Sequence, residues 1–188
     1  FEEFVSEPIQ HLVHAMGHSG DFEQTDRDGA ERTRVAADRA GVSRIVYLGG
    51  LGEEDPSRLS DHLASRHEVG KILAAGNVPV TELRAAVIIG SGSASFEMLR
   101  NLTERLPAMI CPRWVTRTQC QPIAIADVLH YLVAVIEHPE AAGRVLEIGG
   151  PDVLTYRDMM DRYAALAGLR RRLIVPVPLL TPRLSSHW

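Results

Sequence analysis

The residues best suited to meet a ligand sit in two short stretches near and beyond the middle of the chain. Gly90, Gly92 and Ser95 in GSGSAS follow an apolar run and open a helical one, the spacing of a turn that presents backbone amides to a dinucleotide pyrophosphate. Such a turn is followed about 20 residues later by an acidic residue at the end of a second parallel strand, where it takes ribose hydroxyls. The corresponding residues here, Met109 to Arg113 (MICPR), contain no acid. The stretch is therefore expected as a tight turn. Its Ser91, Ser93 and Ser95 line the mouth of a substrate pocket at the carboxyl ends of the strands, where doubly wound folds bind ligands.

The second stretch, RWVTRTQCQ, combines Arg113, Trp114 and Arg117. A guanidinium beside an indole can grip a phosphate and stack on a flat ring, as a nucleotide-sugar or a quinone-type substrate requires. A surface loop whose Trp114 covers the edge of a core fits the same residues. His11, His14 and His18 invite a metal, but on a strand His11 and His14 point to opposite faces and His18 lies beyond Gly17, so no metal site is expected. Arg84 stands inside an apolar run and needs a structural ion-pair partner if buried. Cys111 and Cys120 lack CxxC or Cys/His metal spacing and read as free thiols of a reducing cytosol, which places the protein in the cytoplasm.

These side chains need a scaffold, and hydrophobic periodicity predicts one. Ser43 to Leu48 (SRIVYL) and Val78 to Gly90 (VPVTELRAAVIIG) are buried-strand runs, and Ile9 to Met16 reads as a shorter strand after a helix remnant, Phe1 to Val5. Asp21 to Ala40 spaces Phe22, Ala30, Thr33 and Ala37 helically and ends at Gly41. Ser60 to Ala75 puts Leu63, Gly70 and Leu73 on one side, with Gly76 just past its end. Strands alternating with helices of this length predict parallel βαβ units, joined right-handedly, with helices on both faces of the sheet.

After Gly90 the rhythm changes. Helices over Ser95 to Arg105 and Ala126 to Glu137 frame Met109 to Gln121, whose Pro112 and mixed polarity predict a loop. Arg144 to Ile148 reads as a strand, and a helix starts at Thr155 with Asp158 three residues on, the capping-box spacing, and closes at Gly168. Arg172 to Val177 is the final strand, and the cluster Arg170, Arg171 and Arg172 reads as a helix C-terminal cap and solvated face. The 188 residues, 45% hydrophobic and 23% charged, suffice for one sizeable core with at most a small appended lobe. A formal net charge of −4 gives no footprint for nucleic acid, and no apolar run reaches the ~18 to 20 residues of a membrane span. The expected partner is a small-molecule substrate, with oligomeric state left open.

Four segments together resemble a known family: SRIVYLGGLG (43 to 52), HLASRHEVGKIL (62 to 73), VTELRAAVIIGSGSASFEML (80 to 99) and QPIAIADVLHYLVAVIEHPEAAGRVLEIGGPDVLTYRDMM (121 to 160). They are similar to the atypical extended short-chain dehydrogenase/reductases, and within them to the NmrA-like NAD(P)-binding proteins, often labelled nucleoside-diphosphate-sugar epimerases. The resemblance implies an α/β fold with a Rossmann-like doubly wound parallel sheet, NAD or NADP as cofactor, and oxidoreductase or epimerase activity. No strand followed by GxxGxxG opens the chain, so residues 1–188 are expected as an N-terminally truncated NAD(P)-binding domain. Its substrate lobe is formed mainly by 91–121 and 149–188, with Ser91, Ser93, Arg113 and Trp114 as substrate-binding residues.

Active members of the family use a Ser or Thr at the end of one strand and a Tyr and Lys four residues apart on the next helix. The tyrosine exchanges a proton with the substrate oxygen, while the lysine lowers its pKa and holds the ribose. In this sequence the strand ends in Gly49 and Gly50, and the apolar pattern aligns His62 with the tyrosine and Arg66 with the lysine. The resemblance makes His62 and Arg66 the candidate catalytic pair, since a histidine transfers protons near neutral pH and an arginine can hold a ribose. It also makes Val13, His14, Gly49 and Arg66 the cofactor-binding set. Ordinary helix-surface roles fit His62 and Arg66 better than catalytic ones, and Lys71 lies about a turn away. With all three usual roles substituted, the alternative is a non-catalytic NAD(P)-sensing regulatory protein.

Overall fold

The computed structural model describes residues 22–52, 59–113 and 115–177. In chain order its elements are α1 (Phe22–Ala40), β1 (Ile45–Gly50), α2 (Asp61–Ala74), β2 (Val80–Ala85), β3 (Ile88–Ile89), α3 (Ala94–Arg105), β4 (Ala108–Pro112) and β5 (Gln119–Cys120). There follow β6 (Ile123–Ala124), α4 (Ile125–Glu137), a 3-10 turn (Pro139–Ala141), β7 (Val145–Ile148), β8 (Leu154–Thr155), α5 (Tyr156–Leu166) and β9 (Leu173–Val177). The chain divides into two compact units: one holds the residues up to Ala85 together with Leu129–Ile148, the other Ala86–Val128 and the residues from Gly149 on.

In the first unit, β1, β2 and β7 form a parallel sheet with β2 in the centre. Ile45 lies opposite Val80, and Glu82 opposite Val145. The expected parallel pairing of the two long apolar runs is therefore present, with the second run contributing as far as Ala85. α1 ends at Gly41, whose φ of 62° suits the left-handed cap that glycine supplies. α2 starts where the Ser60 hydroxyl accepts the Leu63 amide at 3.4 Å. The two helices are tied by Arg27 to Glu68 at 2.8 Å and by the Ser65 hydroxyl donating to Asp26 at 2.9 Å. Beneath them Ala30, Tyr47, Val69, Leu73 and Val80 form a core with Ile45 and Ile72 at its edge. On the other sheet face, fully buried Thr81 donates to the Ala141 carbonyl at 2.8 Å. Arg44 donates to the carbonyls of Val135 and, at 3.0 Å, of His138, satisfying acceptors at the end of α4.

The second unit is built from short pairs: β3 with β6 and β4 with β9, both parallel, and β5 with β8, antiparallel. The apolar run that looked like one strand to Gly90 is broken at Ala86 and Val87. Ile88 and Ile89 pair instead with Ile123 and Ala124, and the Val87 carbonyl accepts the Ile123 amide at 2.9 Å. Met109 to Gln121, expected as loop, contains β4 and β5. The α5 capping box is present in both directions, Thr155 Oγ1 accepting the Asp158 amide at 3.1 Å and Asp158 Oδ2 accepting the Thr155 amide at 2.9 Å. Arg172 caps a helix as its position after Gly168 suggested, but the helix is α3: its Nε donates to the Thr103 carbonyl at 2.7 Å. Leu99, Met109, Cys111, Met159, Met160 and Ile174 make this unit's core.

Candidate functional site

The candidate site of the first unit is built on the carboxyl half of β1, the facing residues of β2 and the first turns of α2. Register places Tyr47 beside Glu82 and Gly49 beside Arg84, and residues two apart on a strand share a face. On that face Glu82 accepts from Arg84 Nε at 2.8 Å and Nη2 at 3.4 Å, with side chains 7% and 17% exposed. The expected structural partner of Arg84 is thus its neighbour two residues back. A Cβ on Gly49 would stand 2.7 Å from Glu82 Oε1, and one on Gly70 of α2 would stand 2.6 Å from Oε2. The carboxylate occupies the space two glycines leave open, and its charge is balanced where water is scarce.

The same packing surrounds the strand end where a serine is absent. A side chain at Gly49 meets Glu82, and one at Gly50 would start 2.6 Å from Leu63 Cδ2. A side chain at either position would therefore require the Glu82 carboxylate or the Leu63 methyl to move aside.

Tyr47 is buried, and its hydroxyl donates to the Arg66 carbonyl at 3.1 Å. Burial pushes its phenol up to about 12, while the positive charge of Arg66 and hydrogen bonding from its side chain pull the other way. His67, also buried, has Nε2 3.0 Å from the Gly50 carbonyl; a carbonyl only accepts, so Nε2 carries the proton in that bond. His62 stands exposed in the first turn of α2 and Arg66 half-buried one turn later. At four residues apart they share a helix face. In a βαβ unit the start of the helix lies at the carboxyl edge of the preceding strand, which is where the pair sits relative to β1.

As a cofactor site, these residues fit one end of a dinucleotide. Arg66 can donate to ribose hydroxyls or a phosphate. Gly49 can offer only backbone, because Glu82 fills the space beside it, and the Gly50 carbonyl is engaged by His67. Val13 and His14 lie outside the described residues, as do His11 and His18.

In the second unit Ser93 is the N-cap of α3, its hydroxyl accepting the Phe96 amide at 3.4 Å, and Ser91 is exposed in the turn before it. Gly92 has φ 85°, and a Cβ on Gly90 would meet Ile125 Cγ2 at 2.7 Å, so turn geometry and packing account for both glycines of GSGSAS. Arg113 is exposed, with its amide donating to the Val177 carbonyl at 3.1 Å. Trp114 lies outside the described residues. Cys111 and Cys120 are free thiols pushed up by burial. Among the described residues, no group of three His, Cys, Asp or Glu side chains gathers to hold a metal, and no helix is long and apolar enough to cross a membrane.

Sequence reasoning missed Tyr47, His67, Gly70 and Glu82 as parts of one arrangement. The signal was present as an acid inside an apolar strand and a glycine inside a helix, two features that explain each other only once the strand and helix face each other.

No family model matches the chain. A curated protein of Dictyostelium discoideum, NADH dehydrogenase [ubiquinone] 1 alpha subcomplex subunit 9, mitochondrial, is 22% identical over 148 residues, covering 77% of this chain and 40% of that protein. Among solved structures, UDP-glucuronic acid 4-epimerase from Bacillus cereus in complex with NAD is 14% identical with a TM-score of 0.68, covering 85% of this chain and 60% of that one. An NAD-dependent NDP-hexosamine 5,6-dehydratase involved in tunicamycin biosynthesis is 17% identical with a TM-score of 0.64, covering 89% and 58%. The Bordetella bronchiseptica enzyme WbmG in complex with NAD is 16% identical with a TM-score of 0.64, covering 87% and 58%. The chain spans less than two thirds of the length of each of these proteins. It has the Rossmann-like α/β fold of the nucleotide-sugar epimerases and dehydratases.

Proposed function

We propose that this chain belongs to an NAD(P)-binding protein of the atypical short-chain dehydrogenase/reductase class, with oxidoreductase-like or epimerase-like activity on a small molecule in the cytoplasm. The observation that carries the reading is the placement of His62 and Arg66, one turn apart at the start of α2, within a fold shared with solved enzymes bound to NAD. In this reading Arg66 holds the ribose and His62 exchanges the proton. Gly49 lends backbone beside them, and Val13 and His14 complete the cofactor-binding set that the family resemblance implies. The substrate lobe is formed mainly by 91–121 and 149–188, with Ser91, Ser93, Arg113 and Trp114 as its substrate-binding residues. Tyr47 does not take the proton-transfer role, because its hydroxyl is engaged by the Arg66 carbonyl and burial holds the phenol neutral.

A second reading, a non-catalytic NAD(P)-sensing protein, is favoured by one specific feature: glycines stand where the usual active site has its serine, with Glu82 and Leu63 packed beside them. Titration with NADH and NADPH, together with NAD(P)H oxidation assays on carbonyls and quinones, separates the two. For an enzyme, His62→Ala cuts turnover by roughly 100-fold or more while cofactor affinity stays nearly unchanged. For a sensor, the protein binds cofactor and turns over nothing. Equal turnover with and without His62 removes that residue from the mechanism.

A further inference from the structure

Three successive residues of α2 are each tied to a different neighbour. Ser65 donates to Asp26 of α1 at 2.9 Å, the Arg66 carbonyl accepts the Tyr47 hydroxyl of β1 at 3.1 Å, and His67 meets the Gly50 carbonyl at the end of β1 at 3.0 Å. One turn later Gly70 closes on the Glu82 carboxylate. An apolar stripe is non-directional and lets a helix rotate or slide on a sheet at small cost. Hydrogen bonds, which fall off steeply with distance and angle, set both the rotation and the height of the helix. Of the three ties, only the Tyr47 bond ends on the residue whose side chain faces the cofactor in the reading above.

We propose that Tyr47 is a positioning residue for Arg66: its hydroxyl, anchored on the buried face of β1, fixes the turn of α2 from which the guanidinium reaches an NAD(P) ribose. The inference rests on the role given to Arg66 under the proposed function. The ring is itself held firmly, since Tyr47 is 6% exposed and packs in the core with Ala30, Val69, Leu73 and Val80. A helix carbonyl has a second lone pair, so the Arg66 oxygen can take the phenol without giving up its place in the helix. With the phenol pushed up to about 12, the hydroxyl remains a donor at any pH at which the protein works. Arginine carries several rotatable bonds, and fixing the backbone from which they start reduces the freedom lost on binding.

The test is a double-variant cycle on the purified protein, with NADH and NADPH titrated by fluorescence and melting temperature recorded for each variant. Tyr47→Phe keeps the ring and removes the hydroxyl; it is expected to raise Kd roughly three- to tenfold with melting within a few degrees of wild type. Arg66→Ala raises Kd by roughly tenfold or more. The double variant binds no more weakly than Arg66→Ala, because Tyr47 has no other route to the cofactor. Losses that simply add, or Tyr47→Phe binding like wild type beside a weakened Arg66→Ala, overturn the inference and leave the role of Arg66 standing. Arg66→Ala binding like wild type, or no cofactor binding by the wild-type protein, overturns both together. Should Tyr47→Phe fail to fold, Tyr47→Met fills the same space without a donor and enters the same cycle.

Discussion

Replacing Gly70 with alanine puts the Glu82 cradle to a quantitative test. The new Cβ would stand 2.6 Å from Glu82 Oε2 and 3.0 Å from its Cδ. An exposed carboxylate would swing aside. This one is bounded on the far side by the backbone of Gly49, whose own Cβ position is 2.7 Å from Oε1, and is held by Arg84 at 2.8 Å. Glycine to alanine inside a helix gains about 1 kcal/mol in propensity. The strain is relieved in one of two ways: overpacking the filled site costs about 1–3 kcal/mol, whereas displacing the carboxylate from its arginine instead costs about 3–5 kcal/mol. The net expectation is a loss of about 2 kcal/mol, equivalent to roughly 4–8 °C in melting temperature for a chain of this size. Urea unfolding followed by circular dichroism measures it, and the midpoint should fall with the slope unchanged. Gly29→Ala is the control: it lies exposed within α1, a Cβ there meets nothing within 4 Å, and the change should stabilise by about 0.5–1 kcal/mol. In a Glu82→Ala background the alanine at position 70 should become neutral or stabilising. A Gly70→Ala protein that gains stability as Gly29→Ala does would refute the cradle.

Two further outcomes follow from single groups. Tyr47, raised from 10.0 to about 12 by burial, favours the folded state fully below pH 10 and progressively less as pH rises toward 12; the loss amounts to about 2–3 kcal/mol. Alkaline unfolding monitored by phenolate absorbance should therefore begin near pH 10, and Tyr47→Phe should flatten that limb of the profile. Thr155→Ala removes the acceptor of the Asp158 amide and should cost about 1 kcal/mol in thermal unfolding. The Thr155 hydrogen bonds hold the Asp158 carboxyl below its ordinary value, so its share of stability is present above that value and lost as pH falls through the folded one. The difference between wild type and Thr155→Ala should accordingly narrow in acid.

The βαβ rhythm was legible because each apolar run of the first unit is long and bounded by a glycine, as at Gly41 and Gly76. β4 escaped reading for a physical reason. Its burial alternates, with Met109 and Cys111 inside and Ile110 73% exposed, but every residue from Ala108 to Pro112 is apolar or small, so composition conceals the alternation. The break at Ala86 was equally silent, since ELRAAVII carries no proline or glycine to mark it. At the candidate site, the lack of a serine was visible as Gly49 and Gly50, while the packing around them was not. Leu63 and Glu82 lie 13 and 32 residues downstream of Gly50, and only the fold brings them to the strand end.

Glu82 and Arg84 also constrain how the sheet can assemble. β2 is the central strand, and its other face carries Thr81, Leu83 and Ala85 at 0%, 0% and 3% exposure. A slip of one residue against β1 would turn both charges into that dry face and leave the two glycines bordering a void. A buried ion pair adds little net stability over an apolar pair of the same size, yet an uncompensated buried charge costs several kcal/mol. The pair therefore acts as an alignment check during folding: it contributes little to the correct sheet and heavily penalises each misaligned one.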